Sequence, residues 1–202
     1  MSKEPLFPGQ SARLTFTTEQ VRAIAAVTRN EIFWSFSPDE PRSAADVAHE
    51  TGKSAPSVHY HVQELVQVGL LVPATTRKRR SRTETLYVHG AKAYVSQGVT
   101  APKEYREYSH KTFAAMTRGL ANDNAALHKV VDHHPELAEY YFLSRRSVRL
   151  TLKQAEVVRK MISDFASSVE NMDEADGERL NLFVVIAPTM ATCKKWSRRK
   201  QT

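Results

Sequence analysis

Apolar positions at Val21, Ile24, Val27, Phe33 and Phe36 recur at the intervals of one helix face. Ahead of them, Thr17 and Gln20 form a capping box, with Phe16 and Val21 placed for a hydrophobic staple. The run Ser37-Pro38-Asp39-Glu40-Pro41 stops the pattern, so a single helix is predicted between these signals. Residues before about Leu14 read as a loosely ordered arm. Ser43 and Asp46 open a short second helix from Ala44 to about Glu50, and Thr51-Gly52-Lys53 is a tight turn. Ser54 is placed to cap a third helix reaching about Val68, with Pro56 in its first turn, where a missing N–H costs little. Val58, Val62 and Leu65 share its buried face, and Gly69 ends it.

Leu70-Leu71-Val72-Pro73 then begins an extended segment, and Thr83 to Val88 reads as the returning strand. Helix, helix, turn, helix, hairpin is the order of a winged helix. From Ala91 the pattern changes to long helical segments. One runs from about Pro102 to Leu120, with Tyr105, Tyr108, Phe113 and Met116 as buried positions, and Asn122-Asp123-Asn124 punctuates it. Shorter helical pieces follow through Leu143. Thr151 and Gln154 form another capping box before a helix to about Asn171, whose apolar positions Ala155, Val158, Ile162, Phe165 and Val169 alternate by three and four. An acidic stretch from Asp173 to Glu178 precedes Leu180 to Ile186, rich in β-branched residues and read as a short strand.

The fold class predicted is mainly α with a small β component. Residues 15–95 make a winged helix-turn-helix, 96–190 a helical dimerisation and possible effector region ending in the short strand, and 191–202 a basic tail. The polar N-terminus lacks a signal-peptide core, and no apolar stretch approaches a membrane span. One cysteine, Cys193, cannot form an internal disulfide. A cytoplasmic, nucleoid-associated location is expected.

Charge sharpens this picture through its placement. The net charge is +7, and five cations fall in six residues at Arg77-Lys78-Arg79-Arg80-Ser81-Arg82, the tip of the predicted hairpin. Lys194, Lys195, Arg198, Arg199 and Lys200 form a second group. Removing those ten from the 29 basic residues leaves 19 against 22 acidic ones, so the excess is patched as a phosphate-binding surface requires.

A helix enters the major groove and reads base edges from side chains near its N-terminal end. On the third helix, the face opposite the apolar row offers Ser57, Tyr60 and Gln63, flanked by His59 and His61. Lys53 and Ser54 stand where charge and backbone N–H groups would hold a phosphate. At the hairpin, Arg77, Lys78, Arg79, Arg80 and Arg82 would enter a minor groove or clamp phosphates, adding affinity more than specificity.

The stretch from Arg29 to Val88, and above all Ser57 to Leu71, resembles the ArsR-type winged helix-turn-helix regulators of bacteria. His61-Val62, Leu65 and Gly69-Leu70 match the family's pattern, and His59 stands where it usually has serine. Ala91 to Pro188 resembles, loosely, the helical extension some members carry. The resemblance implies a homodimeric repressor that binds an inverted-repeat operator in double-stranded DNA, with two recognition helices in successive major grooves. The C-terminal helices, particularly Thr151 to Asn171, would build the dimer; Tyr105, Tyr108, Tyr140, Tyr141 and Phe142 would line an effector pocket or, as aromatic stripes in helices more often do, form plain core. Many family members sense metals. Here there is no cysteine pair, and Asp132, His133, His134 and Glu136 match no established ligand spacing. No metal and no cofactor is expected, and Cys193 reads as a bystander rather than an oxidant sensor. No glycine-rich phosphate loop, GxSxG elbow or HExxH motif suggests an enzyme. Two rivals remain: a winged-helix module that binds an acidic protein surface, and a DNA-binding factor without sequence preference.

Overall fold

In the computed structural model, residues 7–79, 82–144, 147–170, 172, 180, 182, 184–189 and 192–193 are described. The chain divides into two compact units, residues 1–126 and 127–202.

The first apolar run forms two helices, α1 (Thr18–Ala23) and α2 (Val27–Trp34), instead of one. The Thr17–Gln20 capping box opens α1, with both of its reciprocal bonds made. The break at Ile24 to Ala26 persists because later side chains satisfy the carbonyls it leaves open. Asn30 Nδ2 donates to the Ile24 carbonyl at 3.0 Å, and Arg29 Nη1 donates to that of Ala23 at 3.2 Å. Ile24, Ile32 and Phe33 still reach one core.

Two residues, β2 (Arg42–Ser43), lead into α3 (Ala44–Thr51), which the Ser43–Asp46 capping box opens. Gly52 ends α3 in the left-handed conformation at φ 64°. Then α4 (Ala55–Gln67) buries Val58, Val62 and Leu65 completely, each contributing about 1.5–3 kcal/mol by leaving water. The hairpin consists of β3 (Leu71–Arg79) and β4 (Arg82–His89), antiparallel, with β2 on the far side of β4. Pro73 has no N–H for the ladder, and the register shifts between Pro73 and Thr75.

The N-terminal arm is partly a strand. β1 (Ser11–Thr15) pairs in parallel with β5 (Ala91–Val95), from Ser11 opposite Ala91 to Thr15 opposite Val95. Buried Gln10 anchors it, donating from Nε2 to the carbonyls of Pro38 (2.7 Å) and His89 (3.1 Å). Five residues of shallow alternation carry little local signal, and the pairing partner lies some 80 positions away.

The next helix, α5 (Lys103–Val130), does not stop at Asn122-Asp123-Asn124. Those residues cost a helix interior only about 0.7 kcal/mol each relative to alanine, too little to end it without a competing cap. Tyr105 is buried against Val21 and Ala101, and Thr112 Oγ1 donates to the Val21 carbonyl at 3.2 Å. Phe113, expected inside, is exposed.

In the second unit, Pro135–Tyr140 is a 3-10 turn and α6 spans Leu152–Glu170. The Thr151–Gln154 cap forms, with the Gln154 carboxamide oxygen accepting from the Thr151 N–H at 2.9 Å. Tyr140, Tyr141 and Phe142 are exposed, so within one chain they do not pack as core. Residues 184–189 form no strand, and no described strand lies beside them to complete a ladder. The acidic stretch and the basic run after Cys193 lie outside the described residues.

Candidate nucleic-acid interface

The core fixes the outward face of α4. With Val58, Val62 and Leu65 turned inward, His59, Tyr60 and Gln63 are exposed, and Tyr60 keeps 58% of its surface open to solvent. Its ring makes an edge contact with His61 and is otherwise free to meet a partner in front of α4. Ser57 is half-buried, and Ser54, at the N-cap position, makes no side-chain capping bond. Gln63 Nε2 donates to the Tyr87 hydroxyl at 3.3 Å, joining α4 to the hairpin. Gln20 Nε2 donates to the Val68 carbonyl at 2.9 Å and holds the far end of α4 against α1.

Of the other predicted contact residues, Lys53 is ion-paired and His61 is half-buried. Lys53 Nζ lies 3.0 Å from Glu31 Oε2. His61 is half-buried beneath the outer face, and its Nδ1 is fully buried without a hydrogen-bond partner, as is Arg29 Nε. Arg29 in turn lies 3.5 Å from Glu64. Burial, then the positive charges of Arg29 and Lys53, hold the His61 imidazole below its ordinary 6.5, with Glu64 opposing them.

The cationic run is divided by the strand alternation. Register sets Arg77 opposite Glu84, Lys78 opposite Thr83 and Arg79 opposite Arg82. Arg77, Arg79, Arg82 and Glu84 therefore share one face, and Lys78 occupies the other. Arg77 is tied inward: its Nη2 donates to both carboxylate oxygens of Asp46 at 2.9 Å and to Glu84 Oε2 at 3.0 Å. For Asp46, burial would raise the carboxyl, but the Ser43 backbone N–H and Arg77 outweigh it and hold the group below its ordinary value. Arg79 is looser, 3.8 Å from Glu84. Lys78 and Arg82 are exposed, and Arg80 lies outside the described residues. Arg79 and Arg82 are like charges directly opposite, a destabilising pair that Glu84 offsets on the Arg79 side.

Residue patterns alone did not point to Arg29, Asp46 or Glu84 as parts of this surface. Only the last carried a usable signal: counting back from the hairpin tip places Glu84 opposite Arg77.

A family model described as a helix-turn-helix domain matches residues 25–73, from the break before α2 to the start of β3. No curated protein matches the chain. Two crystal structures of the adhesin competence repressor AdcR from Streptococcus pyogenes align with 77% of this chain. One is 16% identical with 83% of its own chain covered, the other 13% with 81%, and both have a TM-score of 0.22. The helices α2, α3 and α4 with the β2–β4–β3 hairpin make the N-terminal unit a winged helix-turn-helix domain, the fold of DNA-binding regulators. Among the described residues no group of three or more His, Cys, Asp or Glu is placed to hold a metal ion, and no helix is long and apolar enough to cross a membrane.

Proposed function

We propose that this chain is a transcriptional regulator of the ArsR type that binds double-stranded DNA sequence-specifically as a homodimer. In this reading α4 lies in the major groove, and Tyr60, Gln63, His59 and Ser57 meet base edges. Ser54 and the helix N-terminus approach a phosphate, while Lys78, Arg79, Arg80 and Arg82 of the wing meet the flanking backbone. The observation that carries the reading is the juxtaposition of Tyr60, exposed on α4, with a hairpin whose tip sets Arg79 against Arg82. A polyanion would relieve the repulsion that the one nearby carboxylate, Glu84, offsets only loosely.

The dimer is supported by the seam on α6. Ala155, Val158, Ile162, Phe165 and Val169 follow a three-four alternation, yet Phe165 remains 49% exposed in the single chain. A second copy would cover that seam. Repression would follow from the dimer occluding a promoter.

Selection of genomic fragments by the purified protein tests the whole reading. An enriched inverted repeat is expected, with half-sites about one helical turn apart. Tyr60→Ala or Gln63→Ala should change the enriched sequence, because base contacts discriminate by about 1–3 kcal/mol each. Retention of DNA with no enriched sequence would sink specific regulation, and no retention would sink DNA binding altogether.

A further inference from the structure

Arg77 stands within the cationic run but is differently placed from its neighbours. A single nitrogen of its guanidinium bridges Asp46 of α3 and Glu84 of β4, with three bonds between 2.9 and 3.0 Å. Asp46 is itself fixed, since its Oδ2 accepts from the Ser43 N–H at 3.0 Å in the capping box of α3. The linkage therefore runs from the start of α3, through one carboxylate, to the guanidinium and on to the opposite strand of the wing. Between Thr75 and Thr85 no described residue of the hairpin is buried. Apolar packing cannot set the angle of its outer half, which leaves that task to polar contacts.

We propose that Arg77 is a positioning residue: with Asp46 and Glu84 it clamps the wing to α3 and fixes the angle at which Lys78, Arg79 and Arg82 meet the DNA backbone. This rests on the regulator reading for its DNA-binding consequence, while the clamp itself is a property of the free protein.

The two roles open to Arg77 have opposite signatures. Asp46 and Glu84 are negative charges beside a surface that meets phosphates. If they served only as charges, Asp46→Asn and Glu84→Gln would tighten DNA binding. As clamp members, each substitution weakens binding by roughly three- to tenfold with the salt dependence unchanged, because no phosphate contact is removed. Arg77→Ala should weaken binding similarly, also with unchanged salt dependence, and should add little to Asp46→Asn. Asparagine keeps an acceptor for the Ser43 N–H, and Glu84→Gln leaves the α3 cap untouched, so either variant should fold.

Duplex affinity measured across salt concentrations, together with amide hydrogen exchange of the free variants, tests the clamp. Glu84→Gln should speed exchange at residues 76–79 and 82–85 by roughly three- to tenfold and leave α4 unaffected. Tighter binding by the two carboxylate variants would overturn the proposal. So would a salt slope lowered by about 1 for each Arg77→Ala hairpin, the mark of a phosphate ligand. Unchanged exchange in Glu84→Gln overturns it without reference to DNA. If the unaltered protein binds no duplex, the regulator reading fails, and the exchange result alone decides the clamp.

Discussion

At the scale of single residues, the domain tolerates least change where backbones touch. A Cβ added to Gly90 would lie 2.2 Å from the Gly69 carbonyl oxygen, so the end of α4 meets the β4–β5 junction with no space for a methyl group. Backbone on backbone cannot yield as a flexible side chain would. Gly90→Ala is expected to destabilise the N-terminal unit by about 1–3 kcal/mol, read as a lowered urea midpoint, and an unchanged midpoint would refute the contact. His61 makes a second residue-scale prediction. Its folded pKa lies below the 6.5 of the unfolded chain, so acidification protonates the unfolded state first. Stability is then fully present above about 6.5 and declines as pH falls from there toward the lower folded value. His61→Gln should flatten that decline in a series of melts between pH 7 and 5, and an equal slope in both proteins would place the proton elsewhere.

At the scale of elements, what was legible in the sequence follows the reach of each stabilising contact. Three capping boxes, at Thr17, Ser43 and Thr151, join residues three apart, and each opens its helix where the pattern places it. The apolar row of α4 is equally local, and so the outward position of Tyr60 could be read from spacing. The break between α1 and α2 was hidden because its caps are donated by Asn30 and Arg29 from the following helix. The pairing of β1 with β5 and the tie from Arg77 to Asp46 join positions 80 and 31 residues apart, which no window of sequence can see. The Asp46 and Glu84 partners of Arg77 are therefore invisible in the cationic run itself. The seam of α6 was legible as a period, but a period does not name its partner. The dimer reading makes the seam testable: Ile162→Lys puts a charge in its middle, where burial without a partner is strongly unfavourable. Sedimentation should show the dimer converted to monomer while the thermal melt of the N-terminal unit stays in place. A dimer that survives the substitution would move the interface to another surface.

For the molecule as a whole, electrostatics ties fold to function. The chain's charge of +7 is concentrated in two runs, and the remaining residues carry slightly more acid than base. Attraction to a polyanion is therefore local to the wing and the C-terminal run, instead of spread over the surface. Within the wing, Arg77 is paired with Asp46 and Glu84, and the run's other four cations are Lys78, Arg79, Arg80 and Arg82. A dimer would bring about eight such charges to the duplex. Each phosphate neutralised releases counterions worth a slope of about 0.9 in the logarithm of affinity against the logarithm of salt. The wings alone then predict a slope of about −7, or a loss of roughly four decades between 50 and 200 mM salt. Measuring the chain cut after Cys193 isolates this contribution from the C-terminal cations. A slope near −9 would mean that all five cations of each wing reach phosphate, Arg77 included. A slope near −4 would mean that one wing binds at a time and that the two protomers do not engage the duplex together.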